Sequence, residues 1–316
     1  MPFLASMGAA CAVLLALFAN PAYAQDSLHS TRMEVVNGKP YVMVTVNGKG
    51  PFRFVIDTGT GGQAMVTVEL ADQLELPVVG QARLTDPSGQ GGQRAQIVLI
   101  ESLSVAGVEF TGVAAVRHRL NGEDPSCQGL LGFTLFRDYL LKLDYPGRRM
   151  TLASGALQPD GERSVLPFRM PDGVPIAALR IGDLRVEAQF DSGGTGLSLP
   201  ERLASRLKFA SDPALFGSGE SLSTRFLLKA GRLDANVHLG RYTFDRPVVA
   251  INPAFPLANF GSDVMQNFSV TFDQNNLLMR LDAQQELFHL DTLPSRLRMQ
   301  NAPSPQTPDT TLVPVG

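Results

Sequence analysis

The amino-acid sequence predicts an all-β protein made of two homologous halves, with a few short helices. Three observations carry that expectation. Short runs rich in β-branched and aromatic residues, "YVMVTV", "FRFVI", "RAQIVLI" and "YLLKLDY", recur between Gly, Pro and Asn turns. An apolar run that ends in Asp-x-Gly occurs twice, as "FRFVIDTGTGG" (residues 52–62) and "VEAQFDSGGTG" (residues 186–196). The flanks of the two motifs also match in phase, which marks an internal repeat.

Taken from the N-terminus, residues 1–24 carry an apolar run followed by Ala22-Tyr23-Ala24, a small-x-small pattern. This predicts a secretory signal removed after Ala24, and a periplasmic or secreted protein. The run is too short to favour a membrane span. No Lys or Arg precedes Arg32, so an uncleaved anchor stays open as the alternative.

The first half is expected over residues 32–153. In it "NGKPYVMVTVNG" forms a turn, a strand and a turn, and "DGVPIAALRIGD" repeats that order in the second half, expected over 165–281. "VAGVEF" and "HLGRYTF" end the same distance beyond their aspartates, and "LGFTLFRDYLLKLD" aligns without a gap to "FGSDVMQNFSVTFD". Brief helices are expected after each motif, in "VTVELADQLEL" and "LPERLASRL", and near "LFRDYL" and "VMQNF". Residues 154–164 read as a polar linker, and residues 292–316, rich in Pro, Thr and Ser, as a disordered tail.

Composition excludes several function classes. The chain is 44% hydrophobic and 18% charged, with a net charge of -3, so it offers no basic field for nucleic acid. His29, His118, His238 and His289 are scattered singly, without metal-ligand spacing, and neither metal nor cofactor is expected. Cys11 lies within the signal, leaving Cys127 alone and read as a small hydrophobe rather than a reactive thiol.

The chemistry lies in the paired aspartates. Asp57 and Asp191 each end a buried strand and are followed, two residues on, by Gly59 and Gly193, where the backbone must turn sharply and approach a neighbour. If the halves pack as a pseudo-dimer, the two carboxyls meet, and like charges at that range do not both ionise cheaply. The ionised member then serves as general base toward a water and the protonated member as general acid toward a carbonyl. Amide hydrolysis without a covalent intermediate follows.

With these motifs the chain resembles an aspartic protease of the pepsin and retropepsin kind. Leu130-Leu131-Gly132 matches that family's later apolar-apolar-Gly element fully, and Asn259-Phe260-Gly261 only in part. The resemblance implies two retropepsin-like β-barrel lobes in a bilobal pepsin-like fold, a peptide or protein substrate, and a chain able to act as a monomer. It assigns catalysis to Asp57 and Asp191, and mutual bracing of the loops to Thr58 and Ser192. It also gives Thr60 a supporting hydroxyl, which its counterpart Gly194 lacks. A flap over the cleft would include Ser88, Gly89, Gln90, Gly91 and Gly92, without the tyrosine of the pepsin flap. The short stretch 25–31 before the first expected strand is too little for an inhibitory prosegment, and with the lack of disulfides it leans toward a bacterial envelope relative.

Other readings compete. A lone Asp-Thr-Gly would be a surface turn or helix cap. "FDSGGTG" also resembles the phosphate loop of the actin and sugar-kinase superfamily, although the helices of that α/β fold are not expected here. A glycosidase could use paired carboxylates, but the chain has no Trp for a sugar platform. A peptide-binding protein that keeps the fold without turnover is the alternative that Gly194 favours. Asp144 and Asp273 read as strand-end turn residues, and the apolar residues of 253–260 as core.

Overall fold

The computed structural model describes residues 28–84, 92–120, 124–220 and 225–293. The expected signal, flap residues Ser88, Gly89, Gln90 and Gly91, and nearly all of the expected tail lie outside the described residues. Within them the protein is all-β with a few short helices, and no helix is long and apolar enough to cross a membrane.

The chain opens with β1 (Leu28–Arg32), β2 (Glu34–Val36), β3 (Lys39–Val46) and β4 (Lys49–Asp57). Then come β5 (Ala64–Val66), α1 (Val68–Gln73), β6 (Val78–Leu84), β7 (Gln93–Val105) and β8 (Val108–Arg117). β9 (Gly129–Gly132), a 3-10 turn at Phe133–Phe136, β10 (Leu140–Asp144) and β11 (Arg149–Ala153) complete the first half. The second half runs through β12 (Val165–Arg169), β13 (Ile176–Ile181), β14 (Leu184–Asp191), β15 (Leu197–Pro200) and α2 (Glu201–Ala204). β16 (Ala214–Glu220), β17 (Arg225–Arg232), β18 (Val237–Leu239), β19 (Tyr242–Phe244) and β20 (Val248–Asn252) follow. The last elements are β21 (Ala258–Gly261), α3 (Ser262–Met265), β22 (Ser269–Asp273), β23 (Leu278–Asp282) and β24 (Leu287–Phe288).

The internal repeat is visible in strand order. One sheet runs β2-β3-β4-β9-β5-β8-β7-β6, with an added β3–β7 pairing. The larger sheet contains β13-β14-β21-β15-β20-β17-β16 in the corresponding order, with β18 on β13 where β7 lies on β3. Local chemistry is repeated too. Asn37-Gly38 and Asp172-Gly173 both adopt positive φ, 50° and 84° against 54° and 76°, the geometry that Asn-Gly and Asp-Gly turns accept at low cost.

Between these units the order β1-β11-β10-β22-β23-β12 reads the same from either end. Its centre is the antiparallel β10–β22 pair, with Lys142 opposite Thr271. Phe133 packs edge-on to Phe272 at 5.1 Å and tilts against Phe168 at 6.2 Å, so one aromatic cluster is shared by both halves.

β1 begins before the expected start of the first half. Its sequence, LHSTR, is polar and alternates only between exposed and half-buried positions. What orders it is backbone pairing to β11 at the sheet edge, which leaves no apolar signature to read. The stretch between β11 and β12 forms no strand or helix, yet it is tied down. Leu157 is buried, and its N–H donates to the Asp273 carboxylate at 2.9 Å. Asp273 also accepts from the backbone of Asn276 at 3.0 Å and from its side chain at 2.8 Å, while Asp144 accepts from Gly147 at 3.0 Å. Both aspartates are therefore the turn residues the sequence indicated.

Asp273→Ala would leave the buried N–H of Leu157 without its acceptor. A loss of about 1–3 kcal/mol in stability is expected, read from the midpoint of urea unfolding at unchanged slope.

Candidate active site

Each aspartate sits where a central strand leaves its sheet. β4 runs parallel to β9 with Asp57 opposite Gly132, and β14 runs parallel to β21 with Asp191 opposite Gly261. The glycines are required by close approach. A Cβ at Gly132 would lie 2.1 Å from the carbonyl oxygen of Gly62, and one at Gly261 would lie 2.7 Å from that of Gly196. The Asp-x-Gly loops are thus pressed against the turns that follow β9 and β21. Phe133 donates its N–H to the Thr60 carbonyl at 3.0 Å and Ser262 donates to the Gly194 carbonyl at 3.1 Å, the same bond in both halves.

The two loops are locked to each other by a reciprocal set of hydrogen bonds. The Thr58 N–H donates to Ser192 Oγ and the Ser192 N–H to Thr58 Oγ1, each at 2.9 Å. The Thr58 hydroxyl then donates to the Phe190 carbonyl at 2.6 Å, and the Ser192 hydroxyl to the Ile56 carbonyl at 2.7 Å. Both side chains are fully buried, so every polar atom in the set depends on the other loop.

This lock brings the carboxyls together. A Cβ at Gly59 would stand 2.5 Å from the Asp191 carboxyl carbon, and one at Gly193 would stand 2.5 Å from that of Asp57. Each glycine is bare because the opposite aspartate occupies the space. Both aspartates are half-buried.

Support of the carboxylates is unequal. Asp57 accepts from the Gly59 N–H at 2.8 Å through Oδ1 and from the Thr60 hydroxyl at 3.0 Å through Oδ2. Asp191 accepts two N–H groups on the same oxygen, from Gly193 at 2.9 Å and Gly194 at 2.8 Å. Burial, and next the charge of Asp57, raise Asp191 far above the usual carboxylate range, to about 7, while Lys39 and those two N–H groups pull it down.

Several residues of this site were not singled out in the sequence. Lys39 is only 5% exposed and sits close enough to act on Asp191. The phenol of Tyr145 is buried, makes no hydrogen bond to the described residues, and is pushed far upward by burial and by Asp191, Asp263 and Asp57. Gln189 reaches from β14 to the Gly59 carbonyl at 3.4 Å, and the Asn259 amide, on β21, borders the space that a Cβ at Gly194 would fill. The available signal was positional. Lys39 follows the Asn-Gly turn, Gln189 precedes the second motif by two residues, and Asn259 is the polar member of an otherwise apolar element.

Of the flap residues only Gly92 is described. It enters β7, and a Cβ there would meet the Arg83 guanidinium at 2.3 Å. β6 and β7 pair antiparallel from Leu84↔Gln93 inward, so the described arms form a hairpin. A hairpin the sequence reading passed over, β16 with β17, holds the corresponding place in the second half. Its Phe226 packs against Phe255 at 5.6 Å, so Phe255 serves this hairpin, whereas Ala258 and Phe260 are core as expected. Cys127 is buried, with its thiol directed at the Gly129 carbonyl.

Residues 42–135 match the family model described as aspartyl protease. The match contains Asp57 and its loop and ends before the second motif, and it supports an aspartyl protease family and, at that level, a peptidase function. No curated protein matches the chain.

Two outcomes are expected from this geometry. Thr58→Val removes one donor and one acceptor from the buried lock, and should lower the melting temperature by several degrees in a calorimetric scan. Asp191 binds its proton more tightly folded than unfolded, so its contribution to stability is complete below pH 3.8 and is lost as pH rises through about 7. The stability of the wild type relative to Asp191→Asn should therefore fall across that window and level off on either side, as read from urea unfolding at a series of pH values.

Proposed function

We propose that the protein is an exported aspartic endopeptidase of two pepsin- and retropepsin-like β lobes, which hydrolyses peptide bonds with water activated between Asp57 and Asp191. The observation that carries the reading is reciprocal: each carboxyl fills the space left by the glycine of the opposite loop. Export rests on residues 1–24 alone.

In this reading Asp57 is the base. Its two oxygens accept an N–H and an O–H, which favours the ionised form, whereas Asp191 holds the shared proton up to about pH 7. A water lying on the dyad loses a proton to Asp57 as its oxygen bonds to the peptide carbon. The proton of Asp191 moves to the carbonyl oxygen, giving a neutral tetrahedral diol. When the C–N bond breaks, Asp57 delivers its proton to the leaving nitrogen and a hydroxyl proton returns to Asp191, so the dyad ends as it began. Buried Lys39 contributes positive charge that limits the mutual repulsion of the two carboxyls.

The sugar-kinase alternative loses its basis in an all-β chain, which offers no long helix at either Asp-x-Gly loop. A peptide-binding protein without turnover stays as the second reading, because no hydroxyl supports Asp191 from position 194.

The test is digestion of an unfolded protein mixture by the chain from Gln25 onward, from acid to neutral pH. Cleavage is expected below about pH 7, falling as the second carboxyl ionises, and lost in both Asp57→Asn and Asp191→Asn. Folded wild-type protein that binds peptides but cuts none at any pH would favour the binding reading instead.

A further inference from the structure

The sheets differ one row of residues before the aspartates. Strand alternation puts Val55 on the face of β4 that bears Asp57, and Gln189 on the face of β14 that bears Asp191. Register extends each row across its sheet. In the first half Tyr41, Val55, Leu130 and Met65 lie opposite one another in turn. In the second half the row is Ile176, Gln189, Asn259 and Ser198. The backbone pairing is the same, but three apolar positions, Val55, Leu130 and Met65, are replaced by two amides and a hydroxyl.

Burial follows the chemistry. Phe54, Ile56, Ala188 and Phe190, on the opposite faces of β4 and β14, belong to the main core. Tyr41, Val55 and Leu130 form a small cluster of their own with Cys127, and Met65 and Leu120 pack against it, so the first row is closed by apolar side chains. The second row is more open at its centre, where Gln189 and Asn259 are only half-buried. Gln189 is directed at the opposite Asp-x-Gly loop, because its amide donates to the Gly59 carbonyl at 3.4 Å. The Asn259 amide and the Ser198 hydroxyl have no hydrogen-bond partner among the described residues. Covering them with an apolar group would cost their hydration without return, whereas a polar group would replace it.

We propose that Gln189, Asn259 and Ser198 form a specificity wall beside Asp191, selecting an amide- or hydroxyl-bearing side chain on one of the two residues that flank the scissile bond. The wall offers neutral donors and acceptors together, which suits Asn, Gln, Ser or Thr better than an aliphatic chain. The closed apolar row beside Asp57 makes no such demand, so the preference falls on one side of the bond alone. The inference rests on the peptidase reading and deepens it by naming the class of sequence that is cut.

The test reads binding and cleavage separately. Peptides in which a CH2–NH group replaces the scissile amide cannot be cut, and calorimetry gives their affinity for the full chain. Near-isosteric pairs, Thr against Val and Asn against Leu, are placed in turn on either side of the replaced bond. At one position only, the polar member of each pair should bind about tenfold more tightly, the order expected when half-buried polar groups would otherwise go unpaired. In Gln189→Val combined with Asn259→Leu, which copies Val55 and Leu130, that preference should vanish or invert, with the other position unchanged. Asn259→Leu alone keeps the Gln189 bond to Gly59 and should weaken the preference in the same direction, so a folding defect in the double variant does not decide the result.

Equal affinity within each pair at both positions would overturn the proposal, as would a preference that Asn259→Leu and the double variant retain. The same sequences with an ordinary peptide bond are then offered for cleavage, where the ratio of kcat/KM within each pair should follow the ratio of affinities. Peptides bound with the expected preference but never cut would refute the peptidase reading alone. Cleavage indifferent to these pairs would refute the wall and leave the peptidase reading standing, and a chain that binds none of the peptides would overturn both.

Discussion

The structure depends on holding two carboxyl groups near enough for the charge of one to act on the other, an arrangement their repulsion opposes. The opposing force is the lock between Thr58 and Ser192. Its four hydrogen bonds are buried and each crosses from one loop to the other. A typical buried bond contributes about 1 kcal/mol net, but an abandoned buried donor or acceptor costs about 1–3 kcal/mol, so the loops separate only if several such groups are exposed together. The lock is therefore stiff, and the repulsion, added to burial, is expressed in the raised pKa of Asp191.

The same constraint explains how backbone and side chains divide the work. Strand order, the turns at Asn37-Gly38 and Asp172-Gly173, and the glycines that admit close approach are duplicated. What differs is the ring of side chains around the dyad. Thr60, Leu130, Thr134 and Val174 correspond to Gly194, Asn259, Asp263 and Lys39 across the approximate twofold. That correspondence is also spatial. A Cβ at Gly173 would meet the Thr134 methyl at 2.8 Å, and one at Gly38 would meet Asp263 Oδ1 at 2.5 Å. The charged members of these pairs, Lys39 and Asp263, thus both lie on the Asp191 side.

The extent to which this was legible in the sequence follows from the kind of interaction involved. Repeat, strand class, short helices and the turn role of Asp144 and Asp273 come from local patterns that the chain writes twice, and so could be read. β1 was missed because a polar edge strand is ordered by backbone pairing alone. The β16–β17 hairpin was passed over because "SGESLSTR" looks like any polar loop, and only its place in the strand order gives it meaning. Lys39 and Asn259 were invisible as site residues for another reason. Lys39 acts across the boundary between halves and Asn259 lies on a neighbouring strand, and the first carried no motif while the second registered only as an imperfect match.

Asymmetry of this kind is open only to a chain that encodes both sides of its site. In a symmetric dimer of one half, any residue beside one carboxyl stands beside the other as well. A lysine placed like Lys39 would then act on both acids, and a glycine at the place of Gly194 would remove both supporting hydroxyls. Fusing the halves separates these choices. Asp57 keeps a supporting hydroxyl, while Asp191 has no hydroxyl at position 194 and has a buried cation close enough to act on it. The doubled backbone brings the acids together, and the unequal side chains give the two carboxyls different surroundings.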